Sequence, residues 1–324
     1  MHSFLGIDEW SAPSLVIPSS LWESIGAGYG FLTPTPIRLT EQLLRVFGGV
    51  RDSLGRSAIH WVDVDATTLK VIDYARLPCF DTRGSLDFDT DGAILGDIYL
   101  QGTKMTMYYV GFKKSAKVKF QAFTGLAESL DFGKSWVRLQ PPFNYLHEDI
   151  DTCDIFAIHS ARKIANQFEF YVAVGTGWES ILGKQFPRYK SYFLAGNALD
   201  SLELSSGPVL PEIEDVYRLG RPRVFQMTLT GEEFLVATGG KPSGDYRPYV
   251  FSKNETGWNL DQNQFCIDPG YSAEFSMHVS YPALIQERNH AVVFFNGDQM
   301  GRQGAYATIG SIQVKAKSDK GNAQ

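Results

Sequence analysis

Asp91, in DFDTDG, and Glu274, in SAEFSMH, could share the two roles that glycosidic bond cleavage requires. One carboxyl group protonates the leaving oxygen while the other attacks or activates water. His278, four residues beyond Glu274, could take either proton role as acid or base. A second set of residues suits binding. Arg45, Arg51 and Arg221 carry planar donor forks matched to carboxylate or phosphate oxygens. Asp97, His159 and Asn296 would add polar contacts, and Tyr281 a ring able to stack on a sugar. Each has a plainer use as well. Arg221 could bridge to an acid such as Asp91 or Glu274, the two histidines could be hydrogen-bonded structural groups, and Tyr281 could fill the core. Of Arg221 and Arg223, Arg221 is the expected ligand contact.

A third pattern, ESLDFGKSW at 128–136, places Ser129, Asp131, Gly133 and Trp136 at S-x-D-x-G-x-x-W spacing. Asp collects backbone N–H groups in a tight turn and Gly supplies a positive φ, so the pattern reads as a turn rather than as catalytic machinery. Looser versions stand at 62–71, 197–204 and 252–258.

These residues need a frame to bring them together. The chain has 324 residues, 44% of them hydrophobic, ample for a buried core. Its net charge of −6 argues against a nucleic-acid surface, which needs a basic stripe. No window approaches the roughly 20 apolar residues that cross a bilayer. MHSFLGIDEW lacks a basic start followed by an apolar stretch, so no secretory signal and a cytoplasmic location are expected. Cys79, Cys153 and Cys266 are odd in number and widely separated, which suggests neither a disulfide framework nor a zinc site.

Short runs rich in Val, Ile, Phe and Tyr, broken by Gly, Pro, Asp and Asn, give an all-β signature. LTEQLLRVF comes nearest to a helix, but Val46, Phe47 and the glycines after them favour a strand. Five runs end alike, LLRVFGG, MTMYYVG, FYVAVG, FLVATGG and VVFFNG, with closing glycines at 49, 111, 175, 239 and 297. A period of roughly 60 residues repeated over the chain marks a repeat architecture. Each unit has a strand before this run and one after it, and four units add a short fourth strand. The expected fold is a single five-bladed β-propeller over 1–314, with blades at about 33–75, 90–140, 152–205, 220–262 and 278–314. Residues within LGIDEWSAPSLVIP are expected to complete the last blade, and 315–324 forms a polar, flexible tail. The first strands would converge, gathering Thr33 and Thr35, the DFDTDG acids, Asp151, Asp154 and His159, the run of Glu214, Asp215, Arg218, Arg221 and Arg223, and Tyr281 around one centre.

The ordered blocks PTPIRLTEQLLRVFGGVRD, FDTDGAILGDIYL with MYYVGF, GLAESLDFGKSW, AVGTGW, GRPRVF, and SYPALIQ with FFNGDQMGRQGAYA carry a resemblance. Over residues 34–307 the chain resembles the five-bladed propeller superfamily of glycoside hydrolases and phosphorylases, which includes the arabinanase, invertase and mannoside phosphorylase families. It is most similar to an uncharacterised branch found in polysaccharide-biosynthesis contexts. The resemblance implies a carbohydrate-active enzyme with its site at the propeller axis and three carboxylates drawn from the first blades. It also allows an axial divalent cation near Asp91 or His159; no spaced motif requires one, and no other cofactor is expected. This sequence departs from the implied triad: GFLTPTPI carries no acid, Arg221 stands in Gly220-Arg221-Pro222, and Ala157-Ile158-His159 replaces an acid–proline pair. Three readings therefore stand open: glycosyl hydrolysis or transfer by Asp91 with Glu274 or His278, processing of a sugar nucleotide or anionic glycan intermediate by arginine clamps, and glycan binding without catalysis. The expected ligand is a carbohydrate or sugar nucleotide, with no nucleic-acid polymer and no membrane insertion; the oligomeric state is open.

Overall fold

β-branched and aromatic residues fit the pleated, half-buried surface of a sheet better than a helix, and in the computed structural model of the chain nearly every such run is a strand. The structure describes residues 4–5, 7, 9–116, 118–139, 154–181, 183–228, 230–261, 265–286 and 290–312. The expected tail, Asp151 and Cys153 lie outside them.

Strand β1 (Ser14–Pro18) comes first. Five antiparallel meanders follow it. The first comprises β2 (Tyr29–Arg38), β3 (Leu43–Arg51), β4 (Ser57–Asp65) and β5 (Val71–Tyr74); the run with helical potential is therefore a strand. The second has β6 (Ala93–Gln101), β7 (Lys104–Lys113), β8 (Gln121–Ser129) and β9 (Val137–Arg138). The third has β10 (Ile155–Ile164), β11 (Gln167–Ile181), β12 (Lys184–Gly196) and β13 (Glu203–Leu204). The fourth has β14 (Arg218–Gln226), β15 (Glu233–Gly240), β16 (Tyr246–Asn254) and β17 (Gly257–Leu260). The fifth has β18 (Ser280–Gln286), β19 (His290–Asn296) and β20 (Gly304–Ser311), and β1 pairs antiparallel with β20 as its fourth strand. The second and third meanders join into one sheet through a short parallel bridge, Ile155 with Ala122 and Phe156 with Phe123.

Each sheet buries its faces against its neighbours. Phe47 and Ile59 of the first unit pack on Leu95 and Met107 of the second. Tyr108 packs on Phe156 and Phe170, Tyr171 on Leu219 and Leu235, and Val236 on Val293 and Phe295. Val292 and Phe294 of the fifth unit then pack on Phe31 and Val46 of the first. The first strands also touch in the same order, with β2 against β6, β6 against β10, β10 against β14, β14 against β18 and β18 against β2.

The S-x-D-x-G-x-x-W segment is a turn that fastens two units. Ser129 Oγ donates to Asp131 at 2.7 Å and accepts from the Gly133 N–H at 2.8 Å, and the Ser135 N–H and hydroxyl donate to Asp131. Gly133 has φ +80°, and a Cβ there would lie 2.3 Å from Phe47 of the first unit, so both the angle and the space demand glycine. Trp136 stands edge-on to Phe47 at 5.8 Å. Burial alone would raise the Asp131 pKa, but the hydrogen bonds from Ser129 and Ser135 outweigh it and hold it at about 2.

Two outcomes follow from this packing. β1 supplies both backbone pairing and the buried Val16 and Ile17, so deleting residues 1–18 is expected to lower the melting temperature by about 10 °C or more. An unchanged melting curve would contradict that role. Asp131 has a folded pKa below its unfolded value, so its contribution is complete above about pH 4 and is lost as pH falls through 2. Melting measured at pH 5 and pH 2 should show a larger drop for the parent than for D131N.

Candidate functional site

One irregularity recurs in all five first strands. In β2, Leu32 pairs with Gly49 and Thr35 with Phe47, so Thr33 and Pro34 face a single residue. The same two-against-one slip places Arg221 and Pro222 between Gly220 and Arg223 in β14, and Tyr281 and Pro282 between Ser280 and Ala283 in β18. In β6 the extra residue is Gly96, between Leu95 and Asp97; in β10 it is His159, between Ile158 and Ser160. Proline cannot donate to a ladder, so it settles at such bulges. Thr33, Arg221 and Tyr281 take φ of +55°, +52° and +56°, a costly backbone for side chains of this size. Strain repeated at one register position of several strands points to a shared centre.

That centre is a cavity of about 660 Å³ lined by residues of all five units, among them Thr33, His159, Arg221 and Tyr281 from the bulges. The second unit sends no side chain from its bulge: a Cβ on Gly96 would lie 2.3 Å from the Ile158 carbonyl oxygen and 2.4 Å from that of Tyr108. The five bulge residues are therefore Thr, Gly, His, Arg and Tyr, with no carboxylate among them.

The lining is cationic and aromatic. Arg51, Arg218, Arg221, Lys114 and Lys119 border it, as do Phe112, Phe120, Phe186, Tyr189, Tyr246 and Tyr281. Arg221 is 4% exposed; it donates to the Leu95 carbonyl at 2.6 Å and the Thr35 hydroxyl at 3.2 Å, and its guanidinium lies 5.9 Å from the Tyr281 ring centre. Arg218 sits among Phe186, Tyr217 and Tyr246, 4.9 to 5.5 Å from their ring centres. Arg51 donates to the Met300 carbonyl. Among the described residues, none of these three arginines is ion-paired with a carboxylate. Five residues of the lining also carry a buried polar atom with no hydrogen-bond partner among the described residues: Thr33 Oγ1, Ser57 Oγ, His159 Nδ1, Arg218 Nε and Arg221 Nε. Orphaned polar atoms are rare in protein interiors, and a cluster of them marks a place for a polar ligand.

Burial and the charge of Arg223 lower the Arg221 pKa to about 9, so it remains charged at neutral pH. Burial, Arg221 and Arg223 push His159 well below its ordinary value, leaving a neutral imidazole. Burial raises the Tyr246 and Tyr281 phenols, which stay protonated.

Of the residues singled out from the sequence, Asp91, Arg51, His159, Arg221 and Tyr281 border the cavity. Asp91 is the one carboxylate of the lining, and its Oδ2 accepts the Lys114 backbone N–H at 2.7 Å. The structure does not bring the other five there. Arg45 points between units, paired in bidentate fashion with Asp63, donating to the Phe132 carbonyl and lying over Trp61. Asp97 follows the bulge rather than forming it, so it faces away and pairs with Arg223 at 2.7 Å while accepting the Ala161 N–H. Glu274 lies in a short 3₁₀ turn (Ala273–Phe275), exposed and bonded by Ser272, which lowers its pKa. His278 follows that turn; its backbone bridges to Tyr246 and its N–H donates to Asp298. Asn296 ties the fifth unit to the first, accepting the Thr33 N–H and donating to the Phe31 and Gly304 carbonyls. Catalysis by Asp91 with Glu274 or His278 at one centre thus lacks its geometry.

A divalent cation fits the lining poorly. His159 faces two arginines, and Asp91 is the one anionic donor. Among the described residues no group of three or more His, Cys, Asp or Glu side chains could hold a metal ion. Nor, among them, is any helix long and apolar enough to cross a membrane.

Arg218, expected near the centre, does border the cavity, whereas the five further rings, Ser57 and the two lysines were not foreseen from the sequence. The X-Pro pairs inside first strands were a readable signal for the bulges.

No family model and no curated protein matches the sequence. Solved structures do match the fold. One described as a glycoside hydrolase superposes with a TM-score of 0.67 at 13% identity, over 97% of this chain and 94% of that one. A structure from the GH130 family of mannoside phosphorylases, a family containing glycoside hydrolases that target β-1,2 mannosidic linkages in Candida mannan, gives 0.60 at 10% identity over 89% and 88%. The Bombyx mori GH32 β-fructofuranosidase gives 0.60 at 14% identity, over 94% of this chain and 63% of its own length. The chain has the β-propeller fold of these glycoside hydrolases and phosphorylases.

The buried pairs outside the cavity should behave as structure. R45M and R223M each strand a buried carboxylate, and urea unfolding is expected to show a loss of about 3–5 kcal/mol for each. A loss below about 1 kcal/mol would contradict the pairing.

Proposed function

We propose that the chain is a single five-bladed propeller over 1–314 whose axial cavity receives an anionic saccharide, on which it acts as a carbohydrate-active enzyme. The observation that carries this reading is the set of arginines without carboxylate partners among the described residues, Arg51, Arg218 and Arg221, lining one aromatic cavity. Burying a guanidinium costs several kcal/mol, and a ligand carboxylate or phosphate would offset that through charge-assisted, fork-shaped hydrogen bonds. Aromatic rings around the arginines suit the apolar faces of a sugar. Support for a saccharide comes from the fold, which carbohydrate-cleaving proteins share; fold alone does not determine function. The cytoplasmic location and the polysaccharide-biosynthesis setting expected from the sequence belong to the same proposal.

Ligands that bind the folded state raise its stability by about 2.7 kcal/mol at a hundredfold excess over Kd. Thermal unfolding with uronate oligosaccharides, sugar phosphates and nucleotide sugars is expected to show a rise for at least one anionic class and none for neutral oligosaccharides of equal length. R221M should abolish the rise. Equal stabilisation by neutral sugars, or a rise that survives in R221M, would contradict the reading.

A further inference from the structure

We propose that the cavity performs β-elimination on a 4-O-substituted uronate, with Arg221 holding the carboxylate, His159 taking the C5 proton and Tyr281 giving a proton to the leaving O4. This rests on the anionic-saccharide reading and names its substrate class and reaction.

The sign of the charge that the centre stabilises decides between elimination and hydrolysis. Glycoside hydrolysis passes through a cationic, oxocarbenium-like transition state and draws on paired carboxyl groups. Here the bulge positions offer no carboxylate, and the most buried charged residue of the cavity lining is Arg221. A developing cation beside it would be repelled. Removing the proton on the carbon next to a carboxylate instead builds negative charge on the carboxylate oxygens, which fixed donors stabilise strongly in a dry site.

The order of the strands places the three groups as this reaction requires. Arg221 on β14 stands between His159 on β10 and Tyr281 on β18, all three at the same bulge. Its guanidinium lies 5.9 Å from the Tyr281 ring centre. In the uronate, the carboxylate is attached to C5, whose hydrogen is lost, and C5 neighbours C4, whose oxygen departs.

The groups are in the protonation states that the steps need. A base must begin neutral; burial, Arg221 and Arg223 keep the free His159 so, and a uronate carboxylate on Arg221 would offset part of that charge and raise the proton affinity of the ring, which borders the cavity. An acid must begin protonated; burial keeps the Tyr281 hydroxyl so, and that hydroxyl lies 3.7 Å from the Met300 sulfur and interacts with the Tyr246 phenol. In the step the C5–H bond breaks and its proton goes to His159. The electron pair forms the C4–C5 double bond, the C4–O4 bond breaks, and O4 takes the Tyr281 proton. The imidazolium then returns a proton to the phenolate through solvent. No water is consumed, and nothing is oxidised or reduced.

The test incubates the full chain with 4-linked galacturonate and glucuronate oligosaccharides in oxygen-18 water. Ultraviolet absorbance detects the conjugated C4–C5 double bond, and mass spectrometry detects label. The expected products carry the unsaturated end and no solvent oxygen. H159A should lower kcat by about a hundredfold or more while the oligosaccharide still raises the melting temperature, a split that a merely structural histidine would not produce. Y281F should slow the reaction with the fold intact. Labelled reducing ends without the chromophore would overturn elimination and leave the anionic-saccharide reading standing, as would binding without cleavage. Binding by none of the probes would contradict both for uronates.

Discussion

The two-against-one bulge in every first strand is the constraint on which the rest of the structure depends. A strand alternates its side chains between two faces, and one inserted residue exchanges those faces for everything beyond it. The insertion falls at the same place in all five first strands, and in four of them the inserted segment brings a side chain, Thr33, His159, Arg221 or Tyr281, to the common cavity. Arg221 and Arg223 show the consequence. The first borders the cavity without a carboxylate partner, whereas the second is bound to Asp97.

The packing between units holds the bulges in place. Asp97 accepts from Arg223 and from the Ala161 backbone, which fastens the second unit to the fourth and the third. Thr35 accepts from both arginines, joining the first unit to the fourth. Asn296 fastens the fifth unit to the first at Thr33. The hydrogen bonds lie beneath the strained residues, and they are what can hold a positive φ that a free chain would relax. A site set by strand register and buried pairs is more rigid than one set by loops.

Much of the fold was legible in the sequence because it is carried by local signals. The recurring glycine-ended runs are the second strands, and the S-x-D-x-G-x-x-W segment is the expected turn. The contribution of LVIP to the last sheet could be read from the missing fourth strand of that unit. The site was less legible, for a definite reason. Asp97 lies one residue past the bulge at Gly96 and pairs with Arg223 instead of lining the cavity, a register shift that the sequence does not mark. Arg45 looked like a clamp because its partner, Asp63, is on the adjacent strand, and a cross-strand ion pair leaves no local mark in sequence. Glu274 and His278 lie before β18, where no strand period fixes their direction. His159, Arg221 and Tyr281 were found because each is itself the inserted residue. The rings that wall in Arg218 come from three different segments and could be assembled only in three dimensions.

The central claim is that Arg221 is a recognition group whose missing partner is an anion on a sugar. A crystal structure with a bound galacturonate oligosaccharide tests it most directly. The account predicts the carboxylate within about 3 Å of the Arg221 guanidinium, with the sugar ring against the aromatic wall. A carboxylate turned outward to solvent or to Lys114 and Lys119, with Arg221 contacting only protein, would contradict it.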